Sequence, residues 1–316
     1  MYPSPKGEEE EMKSRLTVLI AALAFAALTL AAGCGGDDND NGGGGGGTLT
    51  AASFSVQADP SIAGQVPPDI KSKGTLTVAA DATYPPDEFI ATDGKTVIGM
   101  DADLAKALAE VMGLQASVQN VTFDAIIPGL AAGKYDLGMS SFTDTKDREK
   151  TVDFVTYLQA GSSIFVKAEG GPDLTSLDAL CGHKVSAERG TTQSEQISEQ
   201  DTKCKAEGKP GVTPVLLPDQ NGVNLAVTSG RADAAMADSP VASYIAEKSN
   251  GQLKVTGGPF PPEPYGIAIP KNNGMAQPVL AGIKALMADG TYTKIVEYWG
   301  LQAGAIDNPV INGAVS

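Results

Sequence analysis

Short apolar strands alternate with helical segments from residue 69 to residue 301, and this alternation is what most limits the fold of the chain. Thr75–Ala80 is rich in β-branched and apolar residues, which favours a strand, whereas residues 101–112 place apolar side chains at helical spacing. The alternation resumes after the break Gly170-Gly171-Pro172. Repeated strand and helix predict α/β sheets that bind ligands at the carboxyl ends of their strands. The other predicted strands are 116–120, 137–139, 162–167, 184–187, 213–217, 234–237 and 265–269, and the other predicted helices are 123–132, 192–204, 220–229, 240–248, 275–287 and 291–298.

A run of leucine, alanine and other small or apolar residues covers positions 16–33, directly after Lys13 and Arg15. This pattern is typical of a secretory signal, and the run is short for a transmembrane span. Ala31-Ala32-Gly33 stands where a signal peptidase would cut. Residues 1–33 are therefore predicted to be a cleaved signal peptide.

Cys34 follows this cleavage motif directly, and the motif resembles the lipobox of bacterial lipoproteins. The resemblance implies that the Cys34 thiol carries a diacylglyceryl group, although the favoured leucine stands at Leu30 and Ala31 occupies its usual place. The alternative is an ordinary secreted protein with a chance cysteine. Because residues 35–47 contain only glycine and polar residues, residues 34–68 are predicted to be a flexible tether.

Acidic residues outnumber basic ones, and the formal net charge of -15 argues against nucleic acid or anionic lipid as a partner. With Cys34 assigned to a lipid, Cys181 and Cys204 remain. An even pair of cysteines in an oxidising compartment predicts a disulfide. Two thiols and the single His183 are too few ligands for a metal site, so neither a metal nor another cofactor is expected.

Several motifs occur in an order that is typical of one family. The first half contains DATYPPDEF at 81–89, FDAIIPGL at 123–130 and MSSFTDTKDR at 139–148, and the second half contains RGTT at 189–192 and EPYGI at 263–267. The motif at 81–89 looks like the family pattern D-x-x-Y-P-P-F-E-F. Over residues 70–301 the chain resembles the family 3 extracellular solute-binding proteins, which are receptors for polar amino acids in ABC import systems.

The resemblance implies a two-lobed periplasmic-binding-protein fold of type II, in which each lobe is a β-sheet flanked by helices and two strands form the hinge. Lobe 1 would contain residues 69–163 and 265–316, and lobe 2 residues 164–264. The expected protein is an extracytoplasmic monomer that binds a free amino acid in the interlobe cleft by hinge closure. It would present the ligand to an ABC permease while the lipid on Cys34 anchors it to the cell membrane.

A free amino acid carries a carboxylate and an ammonium, and burying both is costly unless each meets a matched partner. Arg148 suits the carboxylate because a guanidinium is planar, donates in a fork and keeps its charge. By resemblance, Ser141 and Thr143 add hydrogen bonds from lobe 1. Thr191 and Thr192 would add others from a helix N-terminus in lobe 2, where the exposed amides also favour an anion.

Asp238 follows an apolar strand and is the candidate acceptor for the ammonium, with Ser141 as a helper. Its alternative role is to cap the helix that begins near Pro240. Tyr84 and Phe123 resemble the aromatic walls of the family pocket, although either could belong to the hydrophobic core instead.

Asp81 and Asp101 occupy positions where family members often place acids near the ligand side chain, although Asp101 could instead cap a helix. Glu188 is a departure, because other members carry apolar or basic residues there. Three acids around one pocket would favour arginine, lysine or ornithine over glutamate, unless Arg189 turned inward and cancelled their charge. The complete predicted ligand-binding set is Asp81, Tyr84, Asp101, Phe123, Ser140, Ser141, Thr143, Arg148, Glu188, Thr191, Thr192 and Asp238.

Two other functions are compatible with the same scaffold. One is an enzyme similar to cyclohexadienyl dehydratase, for which Glu188 or Glu88 could serve as the acid or base. The other is a lipoprotein that uses the bound ligand only as a signal. Because no further catalytic constellation accompanies either glutamate, the chain is expected not to be an enzyme.

Overall fold

Two five-stranded sheets and one three-stranded sheet organise residues 54–316, the part of the chain that the computed structural model describes. The strands are β1 (Thr75–Ala80), β2 (Thr83–Tyr84), β3 (Glu88–Ile90), β4 (Val97–Ile98), β5 (Gln115–Asn120), β6 (Leu137–Gly138), β7 (Val152–Ala160), β8 (Ser162–Lys167), β9 (Lys184–Glu188), β10 (Thr213–Leu217), β11 (Ala234–Asp238), β12 (Leu253–Gly257) and β13 (Glu263–Pro270). The helices are α1 (Pro60–Ala63), α2 (Pro68–Lys73), α3 (Met100–Val111), α4 (Phe123–Ala131), α5 (Thr192–Ala206), α6 (Gln220–Thr228), α7 (Ser239–Lys248), α8 (Ala276–Ala288) and α9 (Thr291–Tyr298).

The two large sheets share no strand, which divides these residues into two lobes. The first sheet has the order β5-β1-β6-β13-β7, in which β1 runs parallel to β5 and β6 and β13 runs antiparallel to β6 and β7. The second has the order β10-β9-β11-β8-β12, with β9 parallel to β10 and β11. The predicted α/β architecture of two sheet lobes is confirmed, and the short β2-β3-β4 sheet is an addition that the sequence patterns do not predict.

The apolar periodicity of α3 explains how the first lobe is held together. Leu104, Leu108 and Met112 all lie in one buried cluster with apolar residues of β1, β7 and α8. Burying such a side chain stabilises the fold by about 1.5–3 kcal/mol. The second lobe has separate apolar clusters, one built around Phe165 and one around Ile164. Each lobe therefore has its own apolar core.

The chain crosses between the lobes at two points that lie side by side. β7 ends at Ala160 and β8 begins at Ser162, so Gly161 alone separates the two sheets on the first crossing. A Cβ atom at Gly161 would lie 2.0 Å from the Phe260 carbonyl oxygen, so only glycine permits this approach. The return crossing lies between β12 and β13, which begins at Glu263. Ser162 and Ser163 thus belong to the second sheet, and Glu263 and Pro264 to the first.

The segment before Pro68 is more ordered than the sequence predicts. Asp59 caps the short helix α1 by accepting hydrogen bonds from the Ser61 and Ile62 amides, and its own amide donates to the Val111 carbonyl at 2.9 Å. Ile62 and Val66 are buried in the first lobe's core. The prediction of a flexible tether is therefore wrong for this part of 54–68, because these two apolar side chains provide the burial that the glycine-rich segment lacks.

Two predictions concern features outside the sheets. The predicted disulfide between Cys181 and Cys204 is confirmed, and it joins the turn before β9 to α5 with a Cα separation of 5.7 Å. Cys34 and the predicted signal peptide lie outside the described residues. Within residues 54–316, no helix combines the length and the apolar character needed to cross a bilayer.

Candidate functional site

The residues predicted to bind a ligand come from strand ends on both sides of the cleft. In the first lobe, Asp81 follows β1, and Ser140 and Ser141 follow β6. In the second lobe, Glu188 is the last residue of β9 and Asp238 the last residue of β11. Because parallel strands present their carboxyl ends at one edge of a sheet, the topology brings these side chains to the facing edges of the two lobes.

Arg148 lies between the lobes and hydrogen-bonds to both. Its Nη1 donates to the Thr143 carbonyl at 2.8 Å, and its Nη2 donates to the Gly190 carbonyl of lobe 2 at 2.8 Å. The guanidinium carbon lies 5.4 Å from the ring centroid of Phe123 and 5.5 Å from that of Phe142. Burial lowers the pKa of Arg148. No carboxylate among the described residues forms an ion pair with Arg148, and both bonded partners are neutral, so the guanidinium retains donors and charge for an anion.

Asp238 lies on the opposite wall, where its Oδ1 accepts a hydrogen bond from Gln193 Nε2 at 2.9 Å. The same Gln193 nitrogen donates to Ser162 Oγ at 2.8 Å. Burial raises the pKa of Asp238 to about 7, while the Tyr265 hydroxyl, Gln193 and the charge of Arg148 counteract that rise. Asp238 occupies the position before α7 but makes no side-chain capping bond to it. Its carboxylate therefore does not cap α7.

The two aromatic side chains of the predicted set are buried where the lobes meet. Tyr84 belongs to β2 of lobe 1 but packs against the apolar cluster of lobe 2 that contains Val223 and Ala237. Its ring centroid lies 6.3 Å from that of Phe123, which stacks on Phe142 at 4.5 Å. Phe123 is thus part of the lobe 1 core on one face and adjoins Arg148 and Tyr84 on the other.

Three carboxylates of lobe 1 form a buried group behind the cleft, and we call Asp87, Glu88 and Asp101 the acid cluster. Ser140 Oγ donates to Glu88 Oε1 at 2.8 Å and accepts from the Asp81 amide. The Ser141 amide donates to Asp101 Oδ2 at 2.8 Å, and Ser141 Oγ donates to Asp87 Oδ2 at 3.0 Å. These bonds commit both serines to the cluster, and they hold Ser141 at a φ of 50°.

Other contacts close the cleft at its rim. The Thr143 and Thr192 hydroxyls lie 3.5 Å apart across the lobes. Thr191 is the N-cap of α5, where its hydroxyl accepts from the Ser194 amide and donates to the Glu188 carbonyl. Arg189 Nε lies 3.8 Å from Asp124 Oδ2 of lobe 1, and its side chain is 52% exposed. Arg189 therefore turns outward and does not neutralise the acids of the pocket.

Glu188 faces Asp81 across the cleft and is 1% exposed. Neither of its carboxylate oxygens has a hydrogen-bond partner of normal geometry among the described residues. Burial, followed by the charge of neighbouring Asp81, raises the pKa of Glu188 to about 10. Asp81 itself accepts from Thr83 Oγ1 at 2.7 Å and from the Phe123 amide at 2.9 Å, and burial raises its pKa.

Sequence reasoning missed Asp87 and Gln193 as parts of this site. Asp87 is fully buried and stands where the family pattern has phenylalanine, and that departure is the signal that could have found it. Gln193 directly follows the Thr191-Thr192 motif, but glutamine at a helix start is too common to single out. Among residues 54–316, no group of three or more histidine, cysteine or acidic side chains is arranged to hold a metal ion.

The acid cluster should make stability depend on pH. Burial and the charge of Asp101 raise the pKa values of Asp87 and Glu88 well above their usual range, and burial raises that of Asp101 to about 6. Such groups keep protons in the folded state that the unfolded chain releases above about pH 4, so stability falls as pH rises through the folded pKa values. We expect the free energy of unfolding of Asp87→Asn to rise relative to that of the wild type. The difference should grow by up to about 1.4 kcal/mol for each pH unit between pH 5 and the folded-state pKa of Asp87.

Denaturant unfolding of both proteins at several pH values measures this difference. Asp69→Asn is the matched control, because Asp69 is exposed on α2 and lies far from the cluster in sequence. Its difference from the wild type should stay constant with pH. If the stability difference between Asp87→Asn and the wild type were also independent of pH, Asp87 would be ionised in the folded protein over this range.

Comparison with known proteins identifies the family of the chain. The family model of the bacterial extracellular solute-binding proteins, family 3, matches residues 76–302. The arginine-binding protein ArgT of Corynebacterium glutamicum is 34% identical over 254 residues, which are 80% of this chain and 83% of ArgT.

Two solved structures are similar over nearly their whole length. An ancestral arginine-binding protein bound to arginine has a TM-score of 0.66 and 36% identity, and the match covers 72% of this chain and 98% of that one. The ancestral amino acid-binding protein AncCDT-1, a precursor of cyclohexadienyl dehydratase, also has a TM-score of 0.66 and 36% identity, over 73% of this chain and 97% of that one. With its two sheet lobes, its cleft and the match over residues 76–302, the chain belongs to the bacterial extracellular solute-binding proteins of family 3.

Proposed function

We propose that this chain is the extracytoplasmic receptor of an ABC importer and that it closes its two lobes around a free amino acid with a cationic or polar side chain. Arg148 binds the ligand carboxylate and Asp238 binds its ammonium. The complex then presents the bound amino acid to a membrane permease. The protein acts as a monomer, which light scattering of the purified chain would check.

The observation that carries this proposal is the position of Arg148 between the lobes, opposite Asp238. The guanidinium bridges Thr143 of lobe 1 and Gly190 of lobe 2 through neutral carbonyls, so its charge is left for a ligand. Asp238 acts on Arg148 through its charge, yet the two form no ion pair within 4.0 Å. An α-amino acid carries its two charges on neighbouring atoms and would connect these two groups.

Similarity to proteins named for their ligands supports the amino-acid assignment. The relative from Corynebacterium glutamicum is named an arginine-binding protein, and the ancestral arginine-binding protein has arginine bound. The two acids Asp81 and Glu188 act on one another from the two lobes, and a cationic side chain between them would pair with their carboxylates.

The two lobes would close around a ligand because the ligand binds the closed form more tightly than the open form. A ligand that contacts Arg148 on one lobe and Asp238 on the other binds the closed form more tightly, and it shifts the equilibrium between the two forms by that difference. Gly161 permits the close approach of the two crossings on which the lobes would turn.

Isothermal titration calorimetry of the full chain in mild detergent, with the twenty amino acids and ornithine as titrants, tests this function. We expect saturable binding of arginine, lysine or ornithine and weaker binding of glutamate. If none of these amino acids produced binding heat, the proposed function would be wrong.

The lipid anchor is a separate part of the proposal. Cys34 follows Ala31-Ala32-Gly33, and a diacylglyceryl group on its thiol would hold the receptor at the membrane surface. Cys34→Ser is expected to move the protein from the membrane fraction to the soluble fraction. Wild-type protein that was soluble and carried no lipid mass would contradict the anchor.

We also propose that the chain is not an enzyme. The similarity to AncCDT-1, a precursor of cyclohexadienyl dehydratase, makes this worth testing, and the buried acid Glu188 lies in the cleft. Incubation with prephenate or arogenate is expected to give no product above the uncatalysed rate. Measurable turnover that is lost in Glu188→Gln would favour the enzyme.

A further inference from the structure

Glu188 is a buried carboxyl group on which no basic side chain acts within residues 54–316. It ends β9 at the edge of the cleft, it is 1% exposed, and neither carboxylate oxygen has a hydrogen-bond partner of normal geometry within residues 54–316. Buried polar groups in native proteins are nearly always hydrogen-bonded, and an isolated buried carboxylate is strongly unfavourable. An ionised Glu188 would therefore need a cation, and a ligand at this site can supply one.

The surroundings of Glu188 determine what that partner must be. The Asp81 carboxyl group after β1 and the Tyr84 hydroxyl of β2 act on Glu188 through hydrogen bonding as well as charge, Asp219 before α6 acts through its charge, and none of these groups is basic. The adjacent Arg189 is turned toward Asp124 of lobe 1. The carboxyl groups of Glu188 and Asp81 therefore face one another from the two lobes without a cation between them.

We propose that Glu188, paired with Asp81 across the cleft, binds the guanidinium of an arginine ligand and is the residue that selects this side chain over uncharged ones of the same shape. This inference rests on the proposed function, because it requires the ligand's α-carboxylate and ammonium to be held by Arg148 and Asp238. A guanidinium donates in a planar fork, so one group can hydrogen-bond to a carboxylate on each lobe. Arginine thereby connects the lobes at both of its ends.

Binding of this cation must change the protonation of the pocket. Glu188 holds a proton in the ligand-free protein at neutral pH, since burial raises its pKa to about 10. When the guanidinium arrives, the O–H bond of Glu188 breaks, the proton passes to the buffer, and the carboxylate pairs with the cation. Arginine should therefore release about one proton more on binding than a neutral analogue does at pH 7.

L-Citrulline is the matched neutral probe, because it replaces the guanidinium by a urea and keeps the α-carbon groups. We expect the full-length wild type to prefer arginine over citrulline by at least about 10-fold, as charge-assisted hydrogen bonds imply. Titration calorimetry in buffers of different ionisation enthalpy counts the protons released with each ligand. The comparison cancels any proton lost from Asp238, since both ligands carry the same ammonium.

In Glu188→Gln, we expect the arginine-to-citrulline preference to fall by at least about 10-fold and the additional proton release to disappear. Citrulline affinity should change little, because glutamine has nearly the shape of a protonated glutamate. Glu199→Gln is the matched control, since Glu199 is exposed on α5 outside the cleft, and it should behave as the wild type does.

Three results would overturn the role of Glu188. They are an unchanged preference in Glu188→Gln, equal proton release by the wild type with both ligands, and loss of citrulline binding in Glu188→Gln, which would make Glu188 a structural residue. The wild-type proton count does not depend on how any variant folds. A wild type that binds neither arginine nor citrulline would contradict the proposed function instead, so the two failures are distinguishable.

Discussion

Arg148→Ala is expected to weaken amino-acid binding by about 30-fold to several thousand-fold, because truncating one partner of a buried charged pair costs about 2–5 kcal/mol or more. The ligand carboxylate would lose its only proposed cationic partner. The variant would also lose the hydrogen bond from Arg148 Nη2 to the Gly190 carbonyl, which connects the two lobes. Both effects favour the open form.

Arg148→Lys separates the charge from the geometry. A lysine ammonium keeps the positive charge but cannot donate in a planar fork to Thr143, Gly190 and a carboxylate at once. We therefore expect a loss of at least about 10-fold even though the charge is retained. Titration calorimetry with arginine and with glutamine measures both variants, and loss for both ligands would place Arg148 at the shared α-carbon groups.

Arg231→Ala is the control, because Arg231 is exposed beside β11 in the second lobe. It changes the net charge by the same amount and should keep wild-type affinity. Circular dichroism should show that each variant remains folded. Micromolar affinity in a folded Arg148→Ala protein would rule out the role proposed for this residue.

The sequence determines the general fold because the strand and helix periods are strong. The apolar spacing of α3 and the β-branched run of β1 act locally, and both elements form where the sequence predicts them. β7 and β12 are not predicted. Polar Asp153 and Thr156 interrupt the apolar pattern of β7, and its strand state depends on pairing with the distant β13. Local sequence carries no signal for such a partner.

The site is predictable where a residue's chemistry and its place after a strand agree. Asp238 and Glu188 meet that condition, since they end β11 and β9, whereas Arg148 lies in the turn before β7 and its prediction rests on the resemblance of residues 139–148. The acid cluster could not be predicted in this way, because its burial arises from tertiary packing around Gly99. A Cβ atom at Gly99 would lie 2.2 Å from the Asp87 carbonyl oxygen, and Gly99 has a φ of 127°. This close approach places Asp87 below Ser141, which no spacing in the sequence indicates.

The pocket contains more carboxyl groups than are needed to pair with the ligand ammonium. Binding of the α-ammonium group and binding of the ligand side chain should therefore depend on pH in different ways. Asp238 has a pKa of about 7, so part of the population is protonated at neutral pH. Glu188, with a pKa of about 10, is protonated throughout that range. A neutral ligand such as citrulline reports on Asp238 alone, whereas arginine reports on both carboxyl groups.

Asp238→Asn is expected to weaken binding of citrulline and arginine alike by at least about 30-fold at pH 8, since the buried ammonium would lose its charged acceptor. In the wild type, Asp238 must be ionised to pair with the ammonium. Citrulline affinity should therefore fall by up to about 10-fold per pH unit as pH decreases below about 7, where the raised pKa leaves Asp238 protonated. The variant should show weak binding that does not change over this range.

Calorimetric titrations between pH 5.5 and pH 8.5 measure both effects. Asp233→Asn is the matched control, because Asp233 is an exposed acid just before β11, at the end of the strand away from Asp238. It should keep both the affinity and the pH dependence of the wild type. If Asp238→Asn retained the wild-type slope, the ammonium would have another acceptor.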